Sequence, residues 1–248
     1  MLFRSEGLDF DGLADAFARP DVTSFLLCNP HNPTGDIWSR EQLVEVATLA
    51  RRHDVLVISD EIWAPLTMPG RAMTPYLSLG EELTGPDVAL VAASKAFNLA
   101  GLKAAQVIAG SGDTMRSMTE RVPVEVTYSA GHLGVIASIA AYRHGDSWLD
   151  STRERIESNA RLLSTLLTEH LPAVEYQPGE STYLAWLDCR GLNLGDDPAA
   201  VFLDRGRVAV NPGTDFGAQG AGFVRLNLAT TPEILTEAVR RMSVAASS

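Results

Sequence analysis

The sequence predicts an α/β fold: a larger N-terminal domain over residues 1–150 built on a mostly parallel sheet, followed by a smaller α+β domain over residues 151–248. Three observations carry this. Short leucine- and valine-rich runs alternate with stretches of helical periodicity in the first part of the chain, and strands that alternate with helices pack as a parallel sheet with crossovers. Past the long helical stretch that ends near Leu171 the pattern becomes strand-rich, and the domain change is placed near Asp150. Several apolar runs of the first part also end abruptly in polar or charged residues, and the carboxyl ends of strands are where open α/β sheets bind ligands.

Taken in order, residues 22–28 predict a strand. A helix is predicted from Ser39 to about His53, where Leu43, Val44, Val46, Ala47 and Leu49 supply an apolar face. Val55–Ser59, Val88–Ala92 and Gln106–Ala109 predict further strands, and Gly131–Tyr142 and Trp148–Leu171 predict long helices. The second of these carries Glu154, Arg155, Glu157 and Arg161 on its polar side. In the smaller domain, Val174–Tyr176, Tyr183–Leu187, Val208–Val210 and Phe223–Leu228 predict strands, while Pro198–Asp204 and Pro232–Met242 predict helices. No internal repeat and no low-complexity linker interrupts this order.

Composition excludes several classes. At 248 residues, 46% hydrophobic and 21% charged, the chain can bury a substantial core and lacks the signature of disorder. A net charge of −11 argues against general nucleic-acid binding, which calls for basic patches. Cys28 and Cys189 sit in apolar runs without C-x-x-C or metal-ligand spacing and read as reduced core residues. No apolar run is long enough to cross a bilayer. The opening Met1-Leu2-Phe3-Arg4-Ser5-Glu6 lacks a signal-peptide core, so the expected location is cytoplasmic.

Four segments carry candidate chemistry. Lys95 follows the apolar run Val88–Val91 and stands among Ala, Ser and Phe in Ala92-Ala93-Ser94-Lys95-Ala96-Phe97-Asn98-Leu99. A neutral amine in such a place can form a Schiff base with an aldehyde; the ordinary alternative is a solvated surface lysine. Asn29-Pro30-His31-Asn32-Pro33-Thr34-Gly35 sets two prolines and a glycine straight after a strand, forcing a rigid turn that aims amide groups. Val55-Leu56-Val57-Ile58-Ser59-Asp60-Glu61 ends a buried strand in a carboxylate. Asp60 there can hold a proton on a heteroaromatic nitrogen, or can simply cap a helix. Gly222-Phe223-Val224-Arg225-Leu226-Asn227-Leu228 places one arginine among apolar neighbours. Its guanidinium suits a carboxylate held by two hydrogen bonds, or a structural ion pair. His31 reads as turn-shaping, Tyr128 and His132 as capping or packing residues, and Trp148, Trp186 and Tyr183 as core or domain-interface aromatics. By strand alternation Glu61 points away from Asp60.

In this order and spacing, with Asp60 28 residues after Asn32 and Lys95 35 after Asp60, the segments resemble the fold-type I pyridoxal-phosphate enzymes of the aminotransferase class I/II superfamily. The strings Cys28-Asn29-Pro30-His31-Asn32-Pro33-Thr34-Gly35, Ser94–Lys103 and Asn211-Pro212-Gly213-Thr214-Asp215-Phe216-Gly217 look most like its cystathionine β-lyase-type cysteine-S-conjugate lyases. The resemblance implies pyridoxal 5′-phosphate as cofactor, a small amino-acid substrate and a homodimer, with neither nucleic acid nor membrane as partner. It implies that Lys95 forms the Schiff base and shuttles the α-proton, and that Asp60 pairs with the pyridine nitrogen. Asn32 would bond the ring 3′-oxygen and border the substrate, Ser94 and Lys103 would hold the phosphate, and Arg225 would take the substrate α-carboxylate.

Two positions depart from the family's pattern. Trp63 stands where relatives carry Tyr or His beside the 3′-oxygen, and an indole only donates. Ala92 replaces a common serine at the phosphate, a loss of about one hydrogen bond, roughly 1–2 kcal/mol. The family's N-terminal arm and first βα units, which supply a phosphate-holding glycine turn, a ring-stacking aromatic and an aromatic that reaches across the dimer, have no counterpart ahead of Asn29. The expectation is a partial large domain that exposes apolar surface and anchors the cofactor weakly. The function implied is a carbon–sulfur β-lyase. An aminotransferase of the same superfamily is the alternative, because fold does not separate the two. A catalytically impaired remnant with a binding or dimerisation role is the third reading.

Overall fold

The computed structural model describes residues 3–4 and 7–247, so the reading of the opening residues lies mostly outside it. Contacts divide the chain into two units. One runs up to His31 and resumes over Asp36–Asp150; the other joins Asn32–Gly35 to the chain from Ser151 onward.

The first unit contains β1 (Phe3–Arg4), β2 (Gly7–Leu8), α1 (Phe10–Phe17), β3 (Ser24–Cys28), α2 (Arg40–Arg52), β4 (Leu56–Asp60), α3 (Glu81–Thr84), β5 (Val88–Val91), β6 (Gln106–Ala109), α4 (Gly112–Arg121), α5 (Val124–Thr127) and α6 (His132–His144). Its main sheet has the order β3-β4-β5-β6. The first two pairings are parallel and β6 closes the edge antiparallel, so the mostly parallel α/β reading holds. α2 starts where Ser39 and Gln42 cap each other reciprocally, with Ser39 N–H donating to Gln42 Oε1 at 2.8 Å and Gln42 N–H to Ser39 Oγ at 3.2 Å. Its stripe of Leu43, Val46, Ala47, Leu49 and Ala50 is buried in a core with Leu13, Phe17, Leu27, Trp38, Val55, Val57 and Tyr76. α1 and α4 have no counterpart among the predicted elements; side-chain caps from Asp9 and Ser111 start them.

α7 (Asp146–His170) leads into the second unit, followed by β7 (Glu175–Tyr176), β8 (Leu184–Asp188), α8 (Pro198–Gly206), β9 (Asn211–Pro212), β10 (Phe223–Asn227) and α9 (Pro232–Ala246). These strands form an antiparallel sheet of order β7-β8-β10-β9. α8 and α9 each begin with proline just inside a side-chain cap, Asp197 and Thr231. The strand expected at Val208–Val210 is absent. Pairing with β10 is confined to Asn211–Pro212, and the apolar run ahead of it joins no ladder among the described residues, Val208 N–H instead donating to Phe202 O at the end of α8. Trp148 is not a core residue, being 47% exposed and stacked on Phe97, while Tyr128, 73% exposed, caps α5 through its N–H to Glu125 O and Val126 O rather than packing.

Candidate functional site

In the first unit the chemistry gathers where β4 and β5 end. Asp60 is the last residue of β4, in register with Cys28 on β3 and Leu90 on β5. Its carboxylate accepts the Ile62 N–H at 3.2 Å. Burial pushes its pKa above the usual carboxylate range, against the pull of that N–H and of the Lys95 charge. Lys95 lies in the tight turn after β5, held by Phe97 N–H to Ala93 O and Leu99 N–H to Ser94 O, both 3.0 Å. Its Nζ stands 5.3 Å from the centroid of the Trp63 ring, a cation–π distance. The indole is buried, and so are Ala92, Ala93 and Ala96 around the lysine. Asp60, Trp63 and Lys95, three of the residues singled out from sequence, are therefore in one cluster.

Ser94 adjoins the cluster, half-buried. Lys103 does not join it in any contact among the described residues; it is exposed, in the left-handed region at φ 54° just before β6.

Two further acids hold the strand behind the cluster: Glu61, which turns away from Asp60 as strand alternation predicts, and Asp87, which the sequence reading did not single out. Glu61 is buried, accepting Ser59 Oγ–H at 3.0 Å and Tyr76 N–H at 2.7 Å. Asp87 is fully buried and accepts from Val57 N–H, Arg51 Nη2 and Tyr76 Oη–H at 2.9, 2.9 and 3.0 Å. Asp60 and Glu61, adjacent in sequence, thus have separate partners. Asp87 directly precedes a buried strand, and an acid in that position was the available signal.

Arg225 and Asn32 meet in the second unit. Arg225 sits mid-β10, opposite Trp186 on β8 and Asn211 on β9. Its Nη1 donates to Asn32 Oδ1 at 2.8 Å and its Nη2 to Asn211 Oδ1 at 2.9 Å. The guanidinium lies 4.7 Å over the Phe216 ring, while Nε is buried with no acceptor among the described residues. A buried N–H without a partner is costly and calls for one. Asn32 is set by its turn. Gly35 O accepts the N–H groups of Glu180 and Ser181, both at 3.0 Å. At φ 79°, a side chain on Gly35 would begin 2.7 Å from Ser181 O, so only glycine fits.

Among the described residues no group of three or more His, Cys, Asp or Glu side chains could hold a metal, and no helix is long and apolar enough to cross a membrane.

Comparison with known proteins agrees with the motif resemblance. Residues 3–242 match the family described as aminotransferase class I and II. A putative cystathionine beta-lyase of Mycobacterium leprae is 46% identical across 97% of this chain, which spans 64% of that protein's length. The crystal structure of a putative PLP-dependent beta-cystathionase from Corynebacterium diphtheriae superposes with a TM-score of 0.90 at 35% identity, over 98% of this chain and 64% of that one. Cystalysin from Treponema denticola, whose structure contains pyridoxal 5′-phosphate, gives 0.91 at 27% identity over 99% of this chain and 63% of that one.

Proposed function

We propose that this chain, which belongs to the aminotransferase class I and II family, is the catalytic part of a pyridoxal-phosphate-dependent carbon–sulfur β-lyase. Its substrates would be cystathionine or related cysteine S-conjugates, and its products pyruvate, ammonia and a thiol. The observation that carries the reading is the Asp60–Lys95–Trp63 cluster at the strand ends: an amine over an aromatic ring and beside a half-buried carboxylate, with no hydrogen bond or ion pair of its own among the described residues.

The residues present suit the cofactor. Lys95 Nζ would carry it, Asp60 would keep a proton at the ring nitrogen, Asn32 would face the ring oxygen, and Ser94 with Lys103 would meet the phosphate. When bound, pyridoxal 5′-phosphate supplies the electron sink that stabilises a carbanion at the substrate Cα. The remaining work belongs to side chains. The burial that raises the Asp60 pKa favours a carboxyl that keeps a proton close until a cation faces it. Lys95 Nζ would take the proton from the substrate Cα and, as the Cβ–S bond breaks and the Cα–Cβ double bond forms, deliver it to the departing sulfur. The orphaned Nε of Arg225 supplies a charge-assisted donor for the α-carboxylate. Trp63 packs the cluster and offers only a donor where family members place a Tyr or His. As in the family, the working protein would be a cytoplasmic homodimer.

The test is product analysis on the purified chain given pyridoxal 5′-phosphate and L-cystathionine. Pyruvate released without a keto-acid acceptor, together with a visible cofactor band that Lys95→Ala removes, is the expected result. Turnover only with a keto acid would make it an aminotransferase. A protein with neither band nor product would leave a binding or dimerisation role.

A further inference from the structure

Asn211 on β9 stands opposite Arg225 on β10. Pro212 confines the backbone of Asn211 to an extended form. The turn Gly213–Phe216 that follows is pressed onto β10, since a side chain on Gly213 would begin 2.7 Å from Phe223 O. Phe216 ends that turn and carries the Arg225 guanidinium on its ring. The segment that bears Asn211 is therefore fixed, although the Asn211 side chain itself is exposed.

A guanidinium is planar, and its Nε shares one edge with Nη2. Arg190 of this chain shows what that edge suits: its Nε and Nη2 together grip the Asp188 carboxylate, at 2.9 and 2.6 Å. On Arg225 the same edge is half used. Nη2 donates to Asn211 Oδ1 at 2.9 Å, and Nε has no acceptor among the described residues. The acceptors on both terminal nitrogens, Asn32 and Asn211, are neutral amides, so they orient the guanidinium without cancelling its charge. Burial opposes that charge, while Tyr183 and Asp215 favour it through space. The Asn211 amide thus lies beside an N–H that lacks an acceptor, and its own Nδ2 donates to no group among the described residues.

We propose that Asn211 is a substrate-binding residue that completes the carboxylate site of Arg225. Arg225 Nε donates to one carboxylate oxygen and Asn211 Nδ2 to the other, while Asn211 Oδ1 keeps the guanidinium in place. Such a site takes a free carboxylate and rejects its amide. The proposal rests on the reading of Arg225 as the group that receives the α-carboxylate, and it does not depend on which bond the protein breaks.

The test follows the visible band of the chain loaded with pyridoxal 5′-phosphate. One probe is L-alanine, which has the α-carboxylate and no leaving group at Cβ; the other is L-alaninamide, which lacks the negative charge. Asn211→Asp keeps the side-chain shape and sets an anion against Nη2. Near neutral pH it should weaken L-alanine about tenfold and leave L-alaninamide within about twofold. Lowering the pH toward about 4 protonates the new carboxyl and should restore L-alanine binding toward that of the unsubstituted chain; damage to the fold would not recover in this way. Asn211→Ala removes only the amide and should weaken L-alanine by roughly three- to tenfold. If the loaded chain shows no band, the same comparison uses the cofactor-free chain, acetate as the probe and the isotopically labelled Arg225 guanidinium as the resonance observed. Acetate should shift that resonance in the unsubstituted chain and not in Asn211→Asp. Equal L-alanine binding in all three proteins overturns the proposal. So does an equal loss for L-alanine and L-alaninamide, and so does an acetate shift that the substitution leaves unaltered. Absence of pyruvate from L-cystathionine overturns the lyase reading alone, because L-alanine has nothing to eliminate.

Discussion

The two flanks of the first unit's sheet are built from similar sequence and end in opposite states. On the β3–β4 flank, apolar side chains meet α1 and α2, and Leu27, Val57, Leu43 and Val46 are essentially sealed. On the β6 flank, Val107 and Ile108 are nearly half exposed, and α6 turns Leu133, Ile136 and Ile139 outward while Gly134 and Ser138 are its buried residues. A helix ordinarily buries its apolar stripe and wets the rest. α6 does the reverse, and nothing among the described residues covers its large side chains. Apolar patterning shows what a strand or helix is suited to bury; it does not show that the cover is part of the same polypeptide.

The contrast can be broken from either side. The largest effect is expected from Asp87→Ala on the closed flank, which strands Tyr76 Oη–H, the Arg51 guanidinium and Val57 N–H in the interior. Urea unfolding should show a loss of about 3–5 kcal/mol, the usual cost of halving a buried charged pair. A loss under about 1 kcal/mol would mean that this flank is not the tight core described.

The next effect depends on pH. His31 packs against Trp38 with ring centroids 5.6 Å apart, and burial holds its pKa down to about 4. In the unfolded chain the ring titrates near 6.5. Between those values the unfolded state binds the extra proton, so its contribution to stability is complete above about pH 6.5 and declines as the pH falls toward 4. The total is on the order of 3 kcal/mol. His31→Leu should flatten this part of the stability profile; an unchanged slope would assign it to other groups.

The smallest effect belongs to the bare flank. Ile136→Glu, at a position 51% exposed, should alter unfolding free energy by no more than about 0.5 kcal/mol. It should also reduce self-association in sedimentation velocity, because exposed apolar patches drive association. A cost of several kcal/mol with no change in association would place α6 in a core and erase the contrast.

Much of the architecture is legible in the sequence because strand-ending motifs are local. The runs before Asn29, Asp60 and Lys95 are β-branched or leucine-rich and finish in polar residues, and each becomes a sheet strand of β3, β4 and β5. The cluster of Asp60, Trp63 and Lys95 follows from parallel strands bringing their carboxyl ends to one edge. Other features depend on distant partners. Val208–Val210 has the composition of a strand but pairs with no other strand among the described residues, and a strand exists only through its neighbour. The Glu61 and Asp87 networks join β4 to residues 15 and 30 positions away, and no spacing rule announces such pairings. Trp148 shows the limit of size as a guide: its ring stacks on Phe97 and still leaves half its surface in water.

The turn at Asn32–Gly35 carries a consequence in time. Its glycine carbonyl is fixed by the N–H groups of Glu180 and Ser181, so a loop of 145 residues closes between Gly35 and Glu180. Ribosomes add roughly 5–20 residues per second, so during synthesis Gly35 precedes its partners by about 7–30 seconds. For that interval the flanking segments on either side can fold with the first unit while these four residues wait. Asn32, and through it the anchoring of Arg225, comes into place only after most of the chain has been made.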